Sequence, residues 1–395
     1  MGPMQDTTAS DPDLDAAISA MHAGRAREAR DLYLRVLEGG RADGLVLLGL
    51  AHACRRLGDE PGMVAAVDRL LAAEPRHTRG LLFKANHFAA KGDARSASAF
   101  YQRAVQTAPP AGELPADLVQ DLRRAEEICV QYAVQYKDWL RSQLAARGFD
   151  PRRSSPRFAQ SLQMVLGEKQ VYVQQPKYYY FPELPQIQFY ARELFPWLDE
   201  VEAATDAIRA ELQEVMKDGG AFSPYVTGDS NRPRKTQQGM LNNPDWSAFF
   251  LWRNGDVVAD NAARCPETMR ALRNAPLAVV PNRSPSVLFS LLRPGMHIPP
   301  HNGLVNTRLI CHLPLIVPAG CTFRVGNDVR DWRQGKAWAF DDTIEHEAWN
   351  NSEETRVILL FDIWRPELTE EERSLVVGLF EAIDAHSGAK PQWEI

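Results

Sequence analysis

Shifting the first 110 residues against themselves by 34 positions brings small and aromatic residues into line: Ala17, Ala51 and Ala85; Gly24, Gly58 and Gly92; Tyr33, Val67 and Tyr101. A fixed period of this length predicts a stack of helix pairs, because one pair cannot hide its own apolar face and must lean on a neighbour. Ala and Gly fall where helices approach closely, and each Gly marks a turn. Pro75 and Pro109 continue the register, whereas the first unit has Arg41 there, as an atypical end unit would. From Leu118, apolar residues at helical spacing (Leu122, Ala125, Cys129, Tyr132, Tyr136, Leu140) predict a closing helix ending near Gly148.

The period resembles the tetratricopeptide repeat, over about residues 11 to 111. That resemblance implies an α-solenoid whose concave groove holds a peptide or protein; a scaffold that merely packs on a second domain is the bland alternative.

A chain of 395 residues is too long for one ordinary core, and 45% hydrophobic with 24% charged residues is globular composition. We read a flexible tail (1–10), a repeat domain with its closing helix (11–150), a linker (151–185) around Tyr178-Tyr179-Tyr180-Phe181, and a second domain (186–395). The net charge of -6 gives no global basic field, so nucleic acid is not an expected partner. A local basic run, Arg232-Pro233-Arg234-Lys235, reads as a solvated loop or a lure for an acidic peptide. The N-terminus lacks a signal-peptide pattern and no apolar stretch is long enough to span a bilayer, so a cytoplasmic protein without membrane insertion is expected. Five scattered cysteines with no C-x-x-C pair read as reduced, mostly buried thiols.

Beyond a helical stretch from Leu198 to Met216 the pattern changes to short alternating runs at Ser286 to Leu292, Asn306 to Leu315, Cys321 to Val325, Ala337 to Phe340 and Arg356 to Ile363. Gly and Pro separate them, as in a β-sandwich or jelly roll, making the chain an α+β multidomain protein. Residues two apart on a strand share a face, so Arg308, Ile310 and His312 point one way. Arg356 likewise shares a face with Ile358 and Leu360, and a guanidinium buried there needs an anion. His301 and His346 supply imidazoles, which suit Fe(II), and a jelly roll can bring distant histidines to one end of its lumen. Arg356 lies ten residues beyond His346, within strand reach of the distal carboxylate of a diacid. His297 is a rival four residues before His301, but Pro299 and Pro300 forbid a helix there, and a loop is expected for it. Trp349 and Trp364 read as core.

Together these residues carry a signature: His301-Asn302-Gly303, Asn306, Arg308-Leu309, His312-Leu313, Arg324-Val325-Gly326, Gly335-Lys336, Phe340-Asp341-Asp342, Glu345-His346-Glu347, Trp349-Asn350, Arg356 and Asp362-x-Trp364-x-Pro366-x-Leu368. It resembles the aspartyl/asparaginyl β-hydroxylase family, over about residues 186 to 373. The resemblance implies a double-stranded β-helix that holds Fe(II) by His301 and His346, binds 2-oxoglutarate and uses O2, releasing succinate and CO2 as a substrate carbon is hydroxylated. It also implies that Arg356 and Ser290 hold the C5 carboxylate of 2-oxoglutarate and that His312 lies near its C1 carboxylate; Arg308 joins these as a candidate cosubstrate contact. Most such oxygenases add a carboxylate ligand two residues after the first His, where this chain has Gly303. A water held by Asp342 is the substitute consistent with the family, although Asp341 and Asp342 also suit a turn. Animal members resemble R-L-R-x-H-L where this chain has Ile310 in place of the second arginine, which weakens transfer of their substrate preference. The reading is therefore a hydroxylase of Asp or Asn side chains in a peptide or protein recruited by the repeats. Alternatives are a hydroxylase of a free amino acid or lipid acyl chain, and a non-catalytic adaptor.

Overall fold

The computed structural model describes residues 11–227 and 240–387 and separates into two compact units, Met1–Ala159 and Gln160–Ile395. The expected tail 1–10 and the basic run Arg232 to Lys235 lie outside the described residues.

The first unit stacks three helix pairs: α1 (Pro12–His22) with α2 (Ala26–Glu38), α3 (Gly44–Leu57) with α4 (Glu60–Ala73), and α5 (Thr78–Ala90) with α6 (Ala94–Thr107). Ala17, Ala51 and Ala85 are completely buried, since a larger side chain at these points would hold the helices apart. Gly24, Gly58 and Gly92 turn the chain within each pair at φ of +75°, +72° and +75°, the left-handed region that glycine adopts most easily. Asp59 and Asp93, directly after two of these glycines, cap α4 and α6 by accepting from Gly62 N and Ser96 N, each at 3.0 Å. The closing helix α7 (Ala116–Ala146) buries Leu118, Leu122 and Ala125 against the last pair. A short helix, α8 (Pro156–Val165), follows.

In the second unit the predicted helix from Leu198 to Met216 is broken at Ala204 into α9 (Leu198–Ala203) and α10 (Thr205–Met216). Next come β1 (Ser223–Pro224), β2 (Trp246–Arg253), β3 (Asp256–Val257), the short helices α11 (Ala259–Ala263) and α12 (Pro266–Ala271), and β4 (Val287–Leu292). The chain continues through β5 (His297–His301), β6 (Arg308–Ile316), β7 (Cys321–Val325), β8 (Asp328–Asp331), β9 (Trp338–Phe340), β10 (His346–Asn350), β11 (Arg356–Trp364) and α13 (Glu370–Ser387). Among the described residues one sheet runs β1-β2-β4-β11-β6-β9, with β3 on β2, and the other runs β5-β10-β7-β8.

Alternation decides what each face does. On β11, Val357, Leu359, Phe361 and Ile363 pack with Leu198, Ile208 and Leu212 of α9 and α10, while Arg356, Ile358, Leu360 and Asp362 line a cavity. The two sheets share a core there, with Ile310, Phe340 and Ile358 from one and Ile298, Phe323 and Ala348 from the other.

Two expectations need correction. His297 stands on β5, not in a loop. Its edge position tolerates Pro299 and Pro300, which lack N–H donors. His301 and Ile298 face His346 and Ala348 on β10, so three steps on one strand meet two on the other. The extra residue changes the parity, and Ile298 and His301 both line the cavity. His297 lies flat on half-buried Trp349 at 4.9 Å and meets Glu347 at 2.8 Å. The second correction concerns the linker, whose later part is integral to the β unit. Tyr179 bridges to Val305, and buried Gln174 donates to Asp341 at 2.7 Å and accepts from Asn306 at 2.9 Å.

Candidate active site

A cavity of about 90 Å³ lies between the sheets, lined by Ser290 on β4, His301 on β5, Arg308, Ile310 and His312 on β6, His346 on β10 and Arg356 on β11. Asp342 joins them from the turn before β10. All the predicted site residues therefore reach one space, although 66 positions separate Ser290 from Arg356.

His301 and His346 stand opposite each other in the β5–β10 ladder with ring centroids 4.1 Å apart. His301 Nδ1 lies 2.8 Å from Pro299 O and His346 Nδ1 lies 3.1 Å from Ile344 O. A carbonyl only accepts, so each Nδ1 carries the proton and each Nε2 keeps its lone pair. Burial holds His301 down to about 4 and His346 well below the ordinary histidine range, which keeps both neutral. Two neutral imidazoles with free lone pairs make a nitrogen donor pair for a borderline metal ion.

Among the described residues no third donor joins them, since no three His, Cys, Asp or Glu side chains converge as a metal set. Gly303 explains why. A Cβ on Gly303 would lie 2.1 Å from Asp342 Oδ2, and Gly303 N already donates to Asp342 O at 2.6 Å. The Asp342 carboxylate fills the space a side chain at 303 would need. Its Oδ1 is buried without a partner among the described residues, and burial lifts its pKa to about 7 despite Arg308 nearby.

Arg356 is 2% exposed and, among the described residues, pairs with no carboxylate. Its bonds go to Ser290 O at 3.3 Å and Ser290 Oγ at 3.4 Å, and its Nε has no partner among the described residues. Burial brings its pKa down to about 9. His312, also buried, has an Nδ1 without a partner among the described residues and a pKa pushed well below the usual range by burial and then by Arg356. A cation and an imidazole with unmet donor capacity, side by side on a cavity wall, expect an anionic ligand from outside.

Arg308 departs from its expected role. Its guanidinium meets Asp362 at 2.5 Å and Asp342 at 3.4 Å, so its charge is balanced within the protein and it braces Asp342. Sequence reasoning missed Trp332 and Tyr225, which line the same cavity. It also missed Arg365, wholly buried with Asp341 at 2.9 Å, which fixes the turn that carries Asp342. Single aromatic or charged residues outside a periodic pattern give no signal of the partner they will meet.

Residues 202–366 match the sequence model of the family described as aspartyl/asparaginyl beta-hydroxylase. The chain is 37% identical over 180 residues to an ornithine lipid ester-linked acyl 2-hydroxylase of Rhizobium tropici, covering 45% of this chain and 60% of that protein. It is 38% identical over 130 residues to human aspartyl/asparaginyl beta-hydroxylase, covering 33% of this chain and 17% of that protein. The matched part is thus less than two thirds of either relative. Among solved structures, the Yersinia enterocolitica translocator chaperone SycD is similar over 32% of this chain and 83% of its own, at a TM-score of 0.28 and 12% identity, too slight a likeness to carry argument. Family match and named hydroxylase relatives agree that residues 202–366 are similar to the aspartyl/asparaginyl β-hydroxylase family, and the 34-residue period of the helix pairs adds tetratricopeptide-like repeats in the same chain.

Proposed function

We propose that the second unit is an iron(II)- and 2-oxoglutarate-dependent oxygenase that hydroxylates the β-carbon of an Asp or Asn side chain in a peptide or protein presented by the repeats. The observation that carries the reading is Arg356, a buried guanidinium with no carboxylate partner among the described residues, in one cavity with the paired, neutral His301 and His346. The strand orders of the two sheets support a double-stranded β-helix.

His301 and His346 are the residues that would hold iron, through Nε2. Bound iron supplies O2 activation coupled to decarboxylation of 2-oxoglutarate to succinate and CO2. The chain does the rest by placement. Arg356 and Ser290 grip the distal carboxylate, and His312 offers Nδ1 to the same ligand. Asp342, braced by Arg308, keeps Oδ1 for a water that takes the place of the missing carboxylate ligand. Ile310, Phe323, Phe340 and Ile358 exclude bulk water from the cavity.

A second reading, hydroxylation of a lipid acyl chain, is favoured by the longer match to the acyl 2-hydroxylase and by Ile310 standing where animal members have arginine. Among the described residues no helix is long and apolar enough to cross a membrane. The first test is succinate formation by the purified chain with Fe(II), 2-oxoglutarate, ascorbate and O2, for wild type and His346→Ala. Succinate from wild type alone supports the oxygenase, and none from iron-loaded wild type with any candidate substrate leaves a binding adaptor. Stimulation of succinate release by Asp- or Asn-containing peptides, and not by acyl lipids, selects the first substrate reading.

A further inference from the structure

Arg356 is held loosely by hydrogen bonds and firmly by something else. Its two bonds to Ser290 are long, at 3.3 and 3.4 Å, yet its guanidinium carbon sits 4.4 Å over the centre of the Trp332 ring. Trp332 follows β8, is 8% exposed, and is fixed from other sides by His312 at 5.6 Å, Phe323 at 5.8 Å and Trp338 at 6.0 Å. A buried cation over an indole face gains electrostatic stabilisation and loses rotational freedom. The indole Nε1–H is itself buried without an acceptor among the described residues, and Trp332 lines the cavity. Indole is a donor only, so this N–H awaits an acceptor. Among the described residues, Arg356 Nε and His312 Nδ1, which line the same cavity, have no partner either.

Building on the cosubstrate reading above, we propose that Trp332 is a specificity residue for the distal carboxylate of the diacid. Its ring face sets the plane of the Arg356 guanidinium, and its Nε1–H donates to the anion that Arg356 binds. Arg356 supplies charge, Ser290 a hydroxyl, and Trp332 direction. An acid of equal length without the second carboxylate meets none of these donors and leaves them buried and unpaired, which is how a polar site rejects an analogue.

The test is calorimetric titration of the full chain loaded with Mn(II), without O2, using 2-oxoglutarate and 2-oxopentanoate, which carries a methyl group in place of the distal carboxylate. Trp332→Phe keeps an aromatic face and deletes the N–H; Trp332→Leu deletes both. The expected result is 2-oxoglutarate binding weakened about tenfold in Trp332→Phe and about 100-fold in Trp332→Leu, with 2-oxopentanoate binding unchanged in both. Equal weakening of the two acids means a merely structural tryptophan and overturns the proposal, as does unchanged 2-oxoglutarate affinity. If Trp332→Leu does not fold, Trp332→Phe carries the test alone. A wild type that does not prefer the diacid overturns the cosubstrate reading, a failure visible before any variant is made.

Discussion

The two units place charge in opposite ways. In the helical unit ion pairs such as Arg25–Glu28, Arg35–Asp13 and Arg41–Asp43 lie in solvent, and the interior is made of alanine and aliphatic side chains close in sequence. In the β unit Arg283, Arg308 and Arg365 are buried, each against a carboxylate brought from 24 to 101 residues away. One unit is held by shape repeated along the chain, the other by distant charges that must find each other. Arg365→Leu leaves Asp341 buried and uncompensated, so the β unit should lose about 3–5 kcal/mol. Arg35→Leu, at a solvent-exposed pair, should leave the helical unit unchanged. Urea unfolding followed separately in the two units measures this, and equal shifts would break the contrast.

Within the β unit the same contrast separates two buried arginines. Arg365 has its anion inside the protein; among the described residues Arg356 has none. Arg356→Met therefore strands no carboxylate, and the ligand-free protein should be as stable as wild type or more so. Its affinity for 2-oxoglutarate should fall about 100-fold, the cost of removing one partner of a buried charged contact. A large loss of ligand-free stability would mean that Arg356 is a structural cation like Arg365.

The same difference governs what was legible in the sequence. The helical unit was readable to single residues, because Ala51 and Gly58 each have counterparts 34 positions away that share the same constraint. The β unit was readable where period two or an unusual residue type gave a signal: Arg356 on an apolar face, His301 and His346, and Gly303 where a ligand was expected. It was opaque where meaning lay in a pairing. Nothing near Trp332 announces that it lies under Arg356, and nothing near Arg308 says that Asp362 will neutralise it. Parity failed at His297 because a bulge is one extra residue, and a pattern of alternation cannot say which residue is extra.

Acid should divide the units as well. Burial keeps His301, His346 and His312 neutral in the β unit, and it does the same to His52 in the helical unit. Each has a folded pKa below its unfolded value, to about 4 for His301 and His52. The stability each contributes is present above the unfolded value near 6.5 and is lost as pH falls towards the folded value. Two more such groups, offset by Asp342, whose pKa of about 7 already keeps its proton in the folded state over this range, mean that the β unit of metal-free protein should lose up to about 1.4 kcal/mol more than the helical unit per pH unit between 6.5 and 5. Hydrogen exchange of β11 and α3 amides across that window reads both at once. Parallel losses would show that the buried histidines do not set the acid limit.

The smallest expected effect compares two glycines. Gly58 has φ +72° and nothing within 4 Å of where a Cβ would stand, so it is kept for backbone conformation alone. Gly303 carries no such torsion and is kept for space, because the Asp342 carboxylate occupies the position of its Cβ. Gly58→Ala should therefore lower the stability of the helical unit by about 1 kcal/mol, and Gly58→Asn by less, since asparagine enters the left-handed region more readily. At Gly303 the order should be reversed: Ala, the smaller side chain, should be tolerated better than Asn, because each added atom displaces more of Asp342. Thermal melts of the four variants decide it. Asn better than Ala at both positions would mean that Gly303 also serves the backbone, and that the space beside Asp342 is not what excludes a side chain there.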